Sequence, residues 1–447
     1  MALKLPPMPV EYLELNYLDA EANTSEYTKL QNEQLLPFAV SGVVNASLKS
    51  AKYLTNGDDV KTVIEICLST EGSDIQYSPG NSFGIIPQNS PQEVNKIIDR
   101  LNLHDVADKL FNLSVKQTNS KKKNKVPMHV PLIGTIRDVL TQNLDIRSVP
   151  KKTFLRALTN YTTNEVELNV LNELCSIQGA ATYTTFITSE YITLLALLHK
   201  FPSCLPPFSL LLEHLPRLQP RPYSVASSPC SNSEIRFVFS LTELPNLYRG
   251  VCTSWLKEKV DNFLAKSVDS SLNIPIYLRK PNAFQLPTDL STNIVLVCSG
   301  TGLAPFISFL EHRARSLQQN TDVKLGTAHL YYGCRYANRD YLYKTELKEY
   351  LNTGVFSKLF VCFSRENVKI KYVQDNIREN GTVFINFLFN NDSSTVLYVC
   401  GSKSMSDGVF ESVVSCLATE KKYSLDEARK MAQHLKSTNR YIEDIWT

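Results

Sequence analysis

The stretch IVLVCSGTGLAPF, residues Ile294–Phe306, joins a continuous apolar run to a glycine-rich turn. The apolar half predicts a strand that is buried on both faces of a sheet. The glycines let the backbone turn tightly and approach a phosphate group, and the helix that follows presents free N–H groups at the positive end of its dipole. Pro305 suits the first turn of that helix but replaces the third glycine of the GxGxxG spacing. A plain strand–turn–helix connection is the alternative to a phosphate site.

Three further apolar runs follow this stretch and alternate with amphipathic segments: Ala328–Tyr332, Leu359–Phe363 and Val396–Cys400. Asp340 is the predicted N-cap of a helix over residues 341–351, and Ser402 or Ser404 is predicted to start a helix that continues through Val413. Apolar strands that alternate with helices are typical of a parallel sheet covered on both faces. We expect this sheet in residues 291–447.

The part of the chain before residue 291 shows a different pattern of predicted secondary structure. Short strand patterns such as Val63–Leu68 and Ile235–Phe239, with turn residues such as Asn56–Gly57 between them, predict an antiparallel barrel. A helical block interrupts this pattern; one of its helices starts at Ser90–Pro91, and another is predicted to have Ser189 as its cap. The predicted organisation is therefore a linker or strap (1–36), a barrel (37–90 and 214–290), an inserted helical domain (91–213) and a parallel-sheet domain (291–447).

The composition is that of a folded globular protein, with 43% apolar and 20% charged residues among 447. The net charge of +3 is too small to indicate a nucleic-acid partner, and the basic run Lys121–Lys125 predicts a solvated loop rather than an acid-docking patch. The ten cysteines form no CxxC pair, and the seven histidines form no HExxH motif, so we expect reduced thiols and no metal. Without a signal peptide or an apolar run of membrane-spanning length, the chain is predicted to be soluble and cytoplasmic.

Four other segments combine residue types that suit a bound nucleotide. Ser364–Arg365 and Lys371–Gln374 offer a forked guanidinium, a point charge and an aromatic ring for a phosphorylated purine. Arg221–Ser224 offers a partner for a pyrophosphate and a ring that can stack, and Gly250–Trp255 could form a second phosphate cradle. Trp446 could act as a lid on a planar cofactor. Three of these signals also have a structural alternative: a solvated loop for Ser364–Arg365 with Lys371, a strand entry with a buried tyrosine for Arg221–Ser224, and a core groove for Trp446.

In chain order these segments resemble the FAD- and NADPH-binding module of the diflavin reductase family, which belongs to the ferredoxin-reductase-like superfamily. The matching segments are Tyr77–Asn81, Arg221–Ser224, Gly250–Thr253, Gly300–Phe306, Tyr332–Arg335, Asp340–Tyr343, Ser364–Arg365, Tyr372–Gln374, Tyr398–Gly401 and Asp444–Trp446. The chain is most similar to the methionine synthase reductase branch through Val149–Leu158, Phe201–Cys204 and Leu210–Pro216. Asn81 is a departure, because relatives often carry Asp there. The resemblance implies an antiparallel FAD-binding barrel with an inserted helical connecting domain, followed by a parallel-sheet NADP-binding domain, an architecture of α+β and α/β parts.

The resemblance also implies roles for single residues. The residues expected to contact FAD are Arg221, Tyr223, Ser224, Gly250, Val251, Cys252, Thr253 and Trp446. Those expected to hold NADPH are Gly300, Thr301, Gly302, Arg335, Ser364, Arg365, Lys371, Tyr372 and Gln374. Those expected around the hydride path are Ser224, Cys400, Asp444 and Trp446, the last as the aromatic residue that covers the flavin. No residues are expected to bind a metal.

The implied reaction passes a hydride from NADPH to FAD, and the electrons continue through FMN to the cobalamin of methionine synthase. No flavodoxin-like FMN module is recognised in the sequence, so the chain is expected to be a fragment of a longer reductase or to receive the FMN step from another chain. The implied partners are methionine synthase and an FMN-binding flavodoxin-like module, with no nucleic acid and no membrane, and the chain is expected to be a monomer. Two alternatives stay open: a reductase that serves a haem or sulfite-reducing partner, and a partner-binding or chaperone-like domain that no longer turns over.

Overall fold

The computed structural model describes residues 3–18, 35–116, 124–229, 233–245, 249–266, 272–320, 322–389 and 395–446. The chain divides into two compact units. The first unit comprises Met1–Pro37, Ile86–Arg221 and Thr242–Glu258, and the second comprises Phe38–Ile85, Pro222–Leu241 and Lys259–Thr447. Part of the predicted linker, residues 19–34, and the basic residues 121–123 lie outside the described residues.

The strands of the described ranges are given first, in chain order. They are β1 (Leu13–Tyr17), β2 (Val44–Tyr53), β3 (Val63–Ser69), β4 (Ser82–Ile85), β5 (Leu110–Val115), β6 (Ile133–Thr135), β7 (Arg221–Ser224), β8 (Glu234–Ser240), β9 (Asn273–Leu278), β10 (Ile294–Ser299), β11 (Ala328–Cys334), β12 (Lys358–Phe363), β13 (Val396–Ser402) and β14 (Tyr441–Trp446).

The α-helices of the same ranges follow. They are α1 (Pro91–Arg100), α2 (Ile136–Gln142), α3 (Lys152–Leu158), α4 (Glu165–Cys175), α5 (Ala180–Tyr183), α6 (Leu194–Lys200), α7 (Phe208–His214), α8 (Val251–Leu264), α9 (Ala304–Gln319), α10 (Lys344–Asn352), α11 (Val373–Glu379), α12 (Gly381–Leu388), α13 (Lys403–Lys421) and α14 (Leu425–Ser437).

The first unit packs its helices around one apolar core and adds a small antiparallel sheet in the order β1-β5-β6. Helix α1 starts as predicted, with Pro91 in its first turn. The prediction that Ser189 caps the later helix is wrong. Ser189 ends a π-helical turn, and α6 begins at Leu194, where the hydroxyl of Thr193 accepts from a backbone N–H. The segment interpreted as a linker contains β1, whose Leu13 is buried.

The second unit contains a six-stranded sheet in the order β7-β4-β9-β2-β3-β8. The pairs β4–β9, β9–β2, β2–β3 and β3–β8 are antiparallel. The two edge strands meet through a bridge between Val225 and Phe237 and a 2.8 Å hydrogen bond from the amide of Ala226 to the carbonyl of Arg236. This contact closes the sheet into the expected antiparallel barrel, and every residue of β3 is buried.

The same unit contains a parallel sheet in the order β12-β11-β10-β13-β14, as the apolar runs predict. Strands β11 and β12 lie on one side of β10 and β13 and β14 on the other, so the strand order reverses at β10. Ligands of open α/β sheets bind outside the carboxyl ends of the strands at such a reversal. A ligand site is therefore expected at the carboxyl ends of β10, β11 and β13.

Two helix starts in this sheet domain were predicted, with different outcomes. The side chain of Ser402 caps α13, which extends beyond Val413 to Lys421. The prediction that Asp340 caps the next helix is wrong, because α10 begins at Lys344. The carboxylate of Asp340 instead accepts from the backbone amides of Arg335 and Tyr336, at 2.7–3.1 Å, and fixes the loop after β11. Among the described helices, none is long and apolar enough to span a membrane.

Candidate active site

A cleft of about 520 Å³ opens at the carboxyl ends of the parallel strands in the second unit. Eight of the residues selected from the sequence line it: Gly300, Thr301, Arg335, Ser364, Lys371, Tyr372, Gln374 and Trp446. They come from five separate segments, which the parallel sheet brings to one edge. The structure thus assembles most of the predicted NADPH set into one cavity.

The glycine-rich turn after β10 has the geometry that a phosphate group requires. Gly300 has a φ of 54°, in the region that favours glycine. A Cβ added to Gly302 would lie 2.3 Å from the carbonyl oxygen of Cys400 and 3.1 Å from the indole of Trp446, so only glycine fits between β10 and β13. A 3₁₀ turn over Gly300–Leu303 then leads into α9, with Pro305 in its first turn as predicted. The backbone amides and the positive dipole end of such a helix start can attract an anion.

The polar wall of the cleft lies beyond β12. Ser364 follows β12 directly, and its amide bonds the carbonyl of Cys334 at 2.9 Å, which extends the sheet by one residue. Tyr372 is the N-cap residue of α11 and is half exposed, so its ring face is free to stack on a base. Lys371 precedes it, and Gln374 packs against Gly408 of α13. A hydroxyl, an ammonium group and an aromatic ring therefore share one wall, which suits a phosphorylated nucleoside.

The two predicted guanidinium groups share a partner outside the parallel sheet. Arg335 and Arg365 each donate from Nη1 to the backbone carbonyl of Asp59, at 2.9 Å. Arg335 lines the cleft, whereas Arg365 is exposed and lies outside the cleft lining. The carbonyl belongs to the loop between β2 and β3 of the barrel.

Three of the predicted hydride-path residues are brought together by β13 and β14. Ser224 Oγ donates a hydrogen bond of 2.8 Å to Asp444 Oδ2. Asp444 is the strand partner of Cys400, so the thiol lies beside the carboxylate. Burial, followed by the charge of Asp444, raises the pKa of Cys400 well above its usual value, and the thiol is therefore neutral at physiological pH.

The predicted flavin cover, Trp446, is the last described residue of β14 and pairs with Ser402. Its indole touches the Gly302 turn and lines the cleft, yet 41% of its surface is exposed. Tyr223, the predicted partner on the barrel, is half buried and packs edge-on against Phe239 with ring centroids 6.3 Å apart.

The remaining predicted FAD residues belong to the first unit. The amide of Gly250 bonds the carbonyl of Thr242 at 2.9 Å, and an added Cβ would lie 2.9 Å from Thr242 Cβ. Helix α8 begins at the next residue, Val251, while Cys252 and the side chain of Thr253 are buried. The turn therefore offers backbone amides, rather than side chains, to an anion. Arg221 begins β7 and donates to the carbonyl of Gln219.

Several cleft residues were given no site role by the sequence reasoning, among them Lys61, Ser240, Ser402, Ser404 and Met405. Ser402 and Ser404 were considered only as helix starts, and Asp340, which also lines the cleft, only as a helix cap and as part of a matching segment. Lys61 lies in the barrel, more than two hundred residues before the parallel sheet, and no local pattern connects it to a nucleotide site. A contact made by the tertiary fold alone leaves no signal in the sequence around it.

Two family models match this chain, the FAD binding domain over residues 36–255 and the oxidoreductase NAD-binding domain over residues 296–411. Over its whole length the chain is 39% identical to methionine synthase reductase of Rattus norvegicus and 37% identical to that of Homo sapiens. The chain belongs to the diflavin reductase family. It is also 31% identical, over 95% of its length, to NADPH–cytochrome P450 reductase of Drosophila melanogaster. FAD and NADPH are the cofactors of its two matched domains.

The alignment covers 66% of each of the two methionine synthase reductases and 61% of the P450 reductase. The glycine turn, the cleft and the Ser224–Asp444 pair fit the two cofactors. The predicted resemblance is thereby confirmed at the level of the family, the fold and the cofactors.

Proposed function

We propose that this chain binds NADPH in the cleft at the carboxyl ends of its parallel strands and passes a hydride to FAD held on the barrel. The observation that carries the proposal is the continuity of one cavity, with Trp446 at the flavin end and Ser364, Lys371 and Tyr372 at the phosphate end. When bound, the two cofactors supply the hydride chemistry. The protein supplies orientation, charge and exclusion of water.

The residues around Ser224 have a distinct task in this proposal. The Asp444 carboxylate accepts a hydrogen bond from the hydroxyl of Ser224. This bond fixes the direction in which the lone pairs of the Ser224 oxygen point. Cys400, a neutral thiol, packs beside them without adding a second negative charge. Trp446 covers the flavin position and has to move aside before a nicotinamide can stack there. Because 41% of the Trp446 surface is exposed, this movement requires little unfolding.

A spectroscopic experiment tests the reductase activity directly. The purified protein, saturated with FAD, should show a flavin spectrum that bleaches when NADPH is added without oxygen, and it should reduce ferricyanide. A protein that takes up no flavin, or whose flavin spectrum is unchanged by NADPH, would instead support the alternative of a partner-binding domain without turnover.

The assignment of the phosphate end is tested with Arg365→Ala. If Arg365 contacts the 2′-phosphate, loss of a hydrogen bond between charged groups should lower kcat/KM for NADPH by about 10- to 100-fold. NADH lacks this phosphate, so its kcat/KM should stay the same. Equal losses for both coenzymes would contradict the assignment.

The electron acceptor is proposed from similarity. The relatives at 37–39% identity over the whole chain are methionine synthase reductases, whereas the P450 reductases are 30–31% identical. We therefore propose that electrons continue through an FMN-binding flavodoxin-like module to the cobalamin of methionine synthase. Mixing the chain with such a module, methionine synthase and NADPH should restore methyl transfer. Reduction of a haem or sulfite-reducing partner, with no effect on methionine synthase, would favour the alternative.

A further inference from the structure

Three arginines of the parallel-sheet domain converge on one residue of the barrel, Asp59. We call residues 54–62, between β2 and β3, the Asp59 loop. Its carbonyl at Asp59 accepts from Arg335 and Arg365, both at 2.9 Å. Its carboxylate at the same residue accepts from Arg339 at 2.6 and 2.7 Å. The loop is further tied by the amide of Asn56, which bonds the carbonyl of Arg339 at 3.1 Å.

The carbonyl contact leaves two positive charges close together. Arg335 and Arg365 share one acceptor atom, and a backbone carbonyl carries only a partial negative charge. Their repulsion is therefore not cancelled, and an anion that carries two charges would be attracted by both. Both guanidiniums also have further N–H groups that can donate to such an anion. The arrangement favours a phosphate monoester over an uncharged hydroxyl at this rim of the cleft.

The carboxylate of Asp59 works against that preference unless it is neutralised. A hydrogen bond from Tyr336 and the guanidinium of Arg339 hold its pKa below the usual range, so it is ionised at physiological pH. Arg339 also lies over the Tyr336 ring, 4.7 Å from its centroid, which fixes the guanidinium in place. Without Arg339, the Asp59 carboxylate would lose its ion-pair partner on the same residue whose carbonyl holds Arg335 and Arg365. It would compete with a coenzyme phosphate for both.

We propose that the Asp59 loop determines the preference for a phosphorylated coenzyme: its carbonyl aims Arg335 and Arg365 at the phosphate, and Arg339 masks the Asp59 carboxylate. Arg339 is a positioning residue in this account, because it acts through the other two arginines. The inference rests on the proposed function, in which Arg365 contacts the 2′-phosphate of NADPH.

The test is a charge rescue in the FAD-loaded protein. Arg339→Ala should raise the KM for NADPH about fivefold, the size expected for a partly exposed charge interaction, with kcat and the KM for NADH unchanged. The double variant Asp59→Asn with Arg339→Ala should return the KM for NADPH to within about twofold of the original, because it removes the unmasked charge. The difference in the KM for NADPH between Arg339→Ala and the unchanged protein should also decrease as the salt concentration rises.

Arg429→Ala is the matched control. Arg429 makes a bidentate ion pair with Glu411, with both bonds at 2.8 Å, and its side chain is about as exposed as that of Arg339. It lies outside the cleft lining. Arg429→Ala removes the same charge as Arg339→Ala and should leave the KM values for NADPH and NADH unchanged.

If the KM for NADPH of the double variant stays as high as that of Arg339→Ala, Arg339 only supports the loop and the inference fails. If Arg339→Ala leaves the KM for NADPH unchanged while Arg365→Ala weakens NADPH alone, the inference fails and the proposed function stands. If Arg365→Ala affects both coenzymes equally, the assignment of the phosphate end is wrong and the inference fails with it, whereas the proposed function is refuted only by a flavin spectrum that NADPH leaves unchanged.

Discussion

Replacing Gly302 by alanine tests whether the cleft depends on close contact between the β10 turn and β13. The added Cβ would lie 2.3 Å from the carbonyl oxygen and 2.8 Å from the carbonyl carbon of Cys400. Carbon–oxygen contacts in proteins are normally about 3.3 Å or longer, so the two backbones must separate by about 1 Å. Overpacking of this kind costs about 1–3 kcal/mol of unfolding free energy.

The catalytic effect should be larger than the loss of stability suggests. The same displacement moves Cys400, its strand partner Asp444 and the nearby indole of Trp446 relative to the nucleotide turn. A displacement of about 1 Å at a reacting centre can reduce the rate about 100-fold. We therefore expect Gly302→Ala to slow flavin reduction by NADPH by roughly two orders of magnitude while the protein stays folded at 25 °C.

The assay is anaerobic stopped-flow absorbance at saturating NADPH, with urea unfolding of the same samples. Gly42→Ala is the control, because a Cβ at Gly42 meets no described atom within 4 Å. The reasoning is refuted if Gly302→Ala reduces its flavin as fast as Gly42→Ala and unfolds at the same urea concentration.

Three further predictions concern Trp446, Ser224 and His329. Trp446→Ala should lower the ratio of kcat/KM for NADPH to kcat/KM for NADH, because the indole no longer has to be displaced. An unchanged ratio in steady-state kinetics would contradict the role of Trp446 as a cover of the flavin. Ser224→Ala removes the 2.8 Å bond to Asp444. It should slow hydride transfer about 10- to 100-fold with little change in NADPH affinity, as measured by single-turnover kinetics over a range of NADPH concentrations. Burial, with a smaller contribution from Lys358, lowers the pKa of His329 to about 4. The unfolded chain, with the ordinary value near 6.5, therefore binds more protons between pH 6.5 and 4, and the unfolding free energy should fall by roughly 3 kcal/mol as pH falls through that window. His329→Phe should remove this part of the pH dependence in urea titrations; an unchanged slope would contradict the assignment.

The parallel sheet was predictable because its strands are buried on both faces. Runs such as Ile294–Ser299 and Ala328–Cys334 are apolar at nearly every position, and the structure buries nearly all of them. The barrel followed from short strand patterns with turn residues between them. In both cases the sequence carries the burial pattern itself.

The small sheet of the first unit and the edge strand β14 were not predicted. Strand β1 has a single buried residue, and β14 has one buried residue, Tyr441, four half-buried ones and the exposed Trp446, so neither shows a clear apolar pattern. Their pairing depends on a neighbour that is distant in sequence or already folded. The two wrong helix caps have a similar cause, because Asp340 and Ser189 have the right chemistry for a cap but the backbone around them forms other turns.

Asn81 illustrates how an apparent departure can preserve the local structure. The side-chain oxygen accepts from the amide of Ser78 at 2.6 Å, which closes the turn before β4. Gly80 precedes it with a φ of 97° and contacts the carbonyl of Phe284 so closely that a Cβ would lie 2.1 Å away. Either an amide or a carboxylate oxygen can accept this bond, so asparagine serves the turn without a buried charge.

The register of β14 explains how a polar tail delivers two of the site residues. Successive side chains of a strand point to opposite faces, so Asp444 and Trp446 share one face and Glu443 lies on the other. The carboxylate of Glu443 accepts from Ser406 at 2.6 Å and from Lys436 at 2.7 Å. These two bonds, made on the helix side of the sheet, fix the register against a one-residue slip. Such a slip would turn Asp444 away from Ser224 and Trp446 away from the glycine turn, so the ion pair outside the cleft sets the geometry inside it.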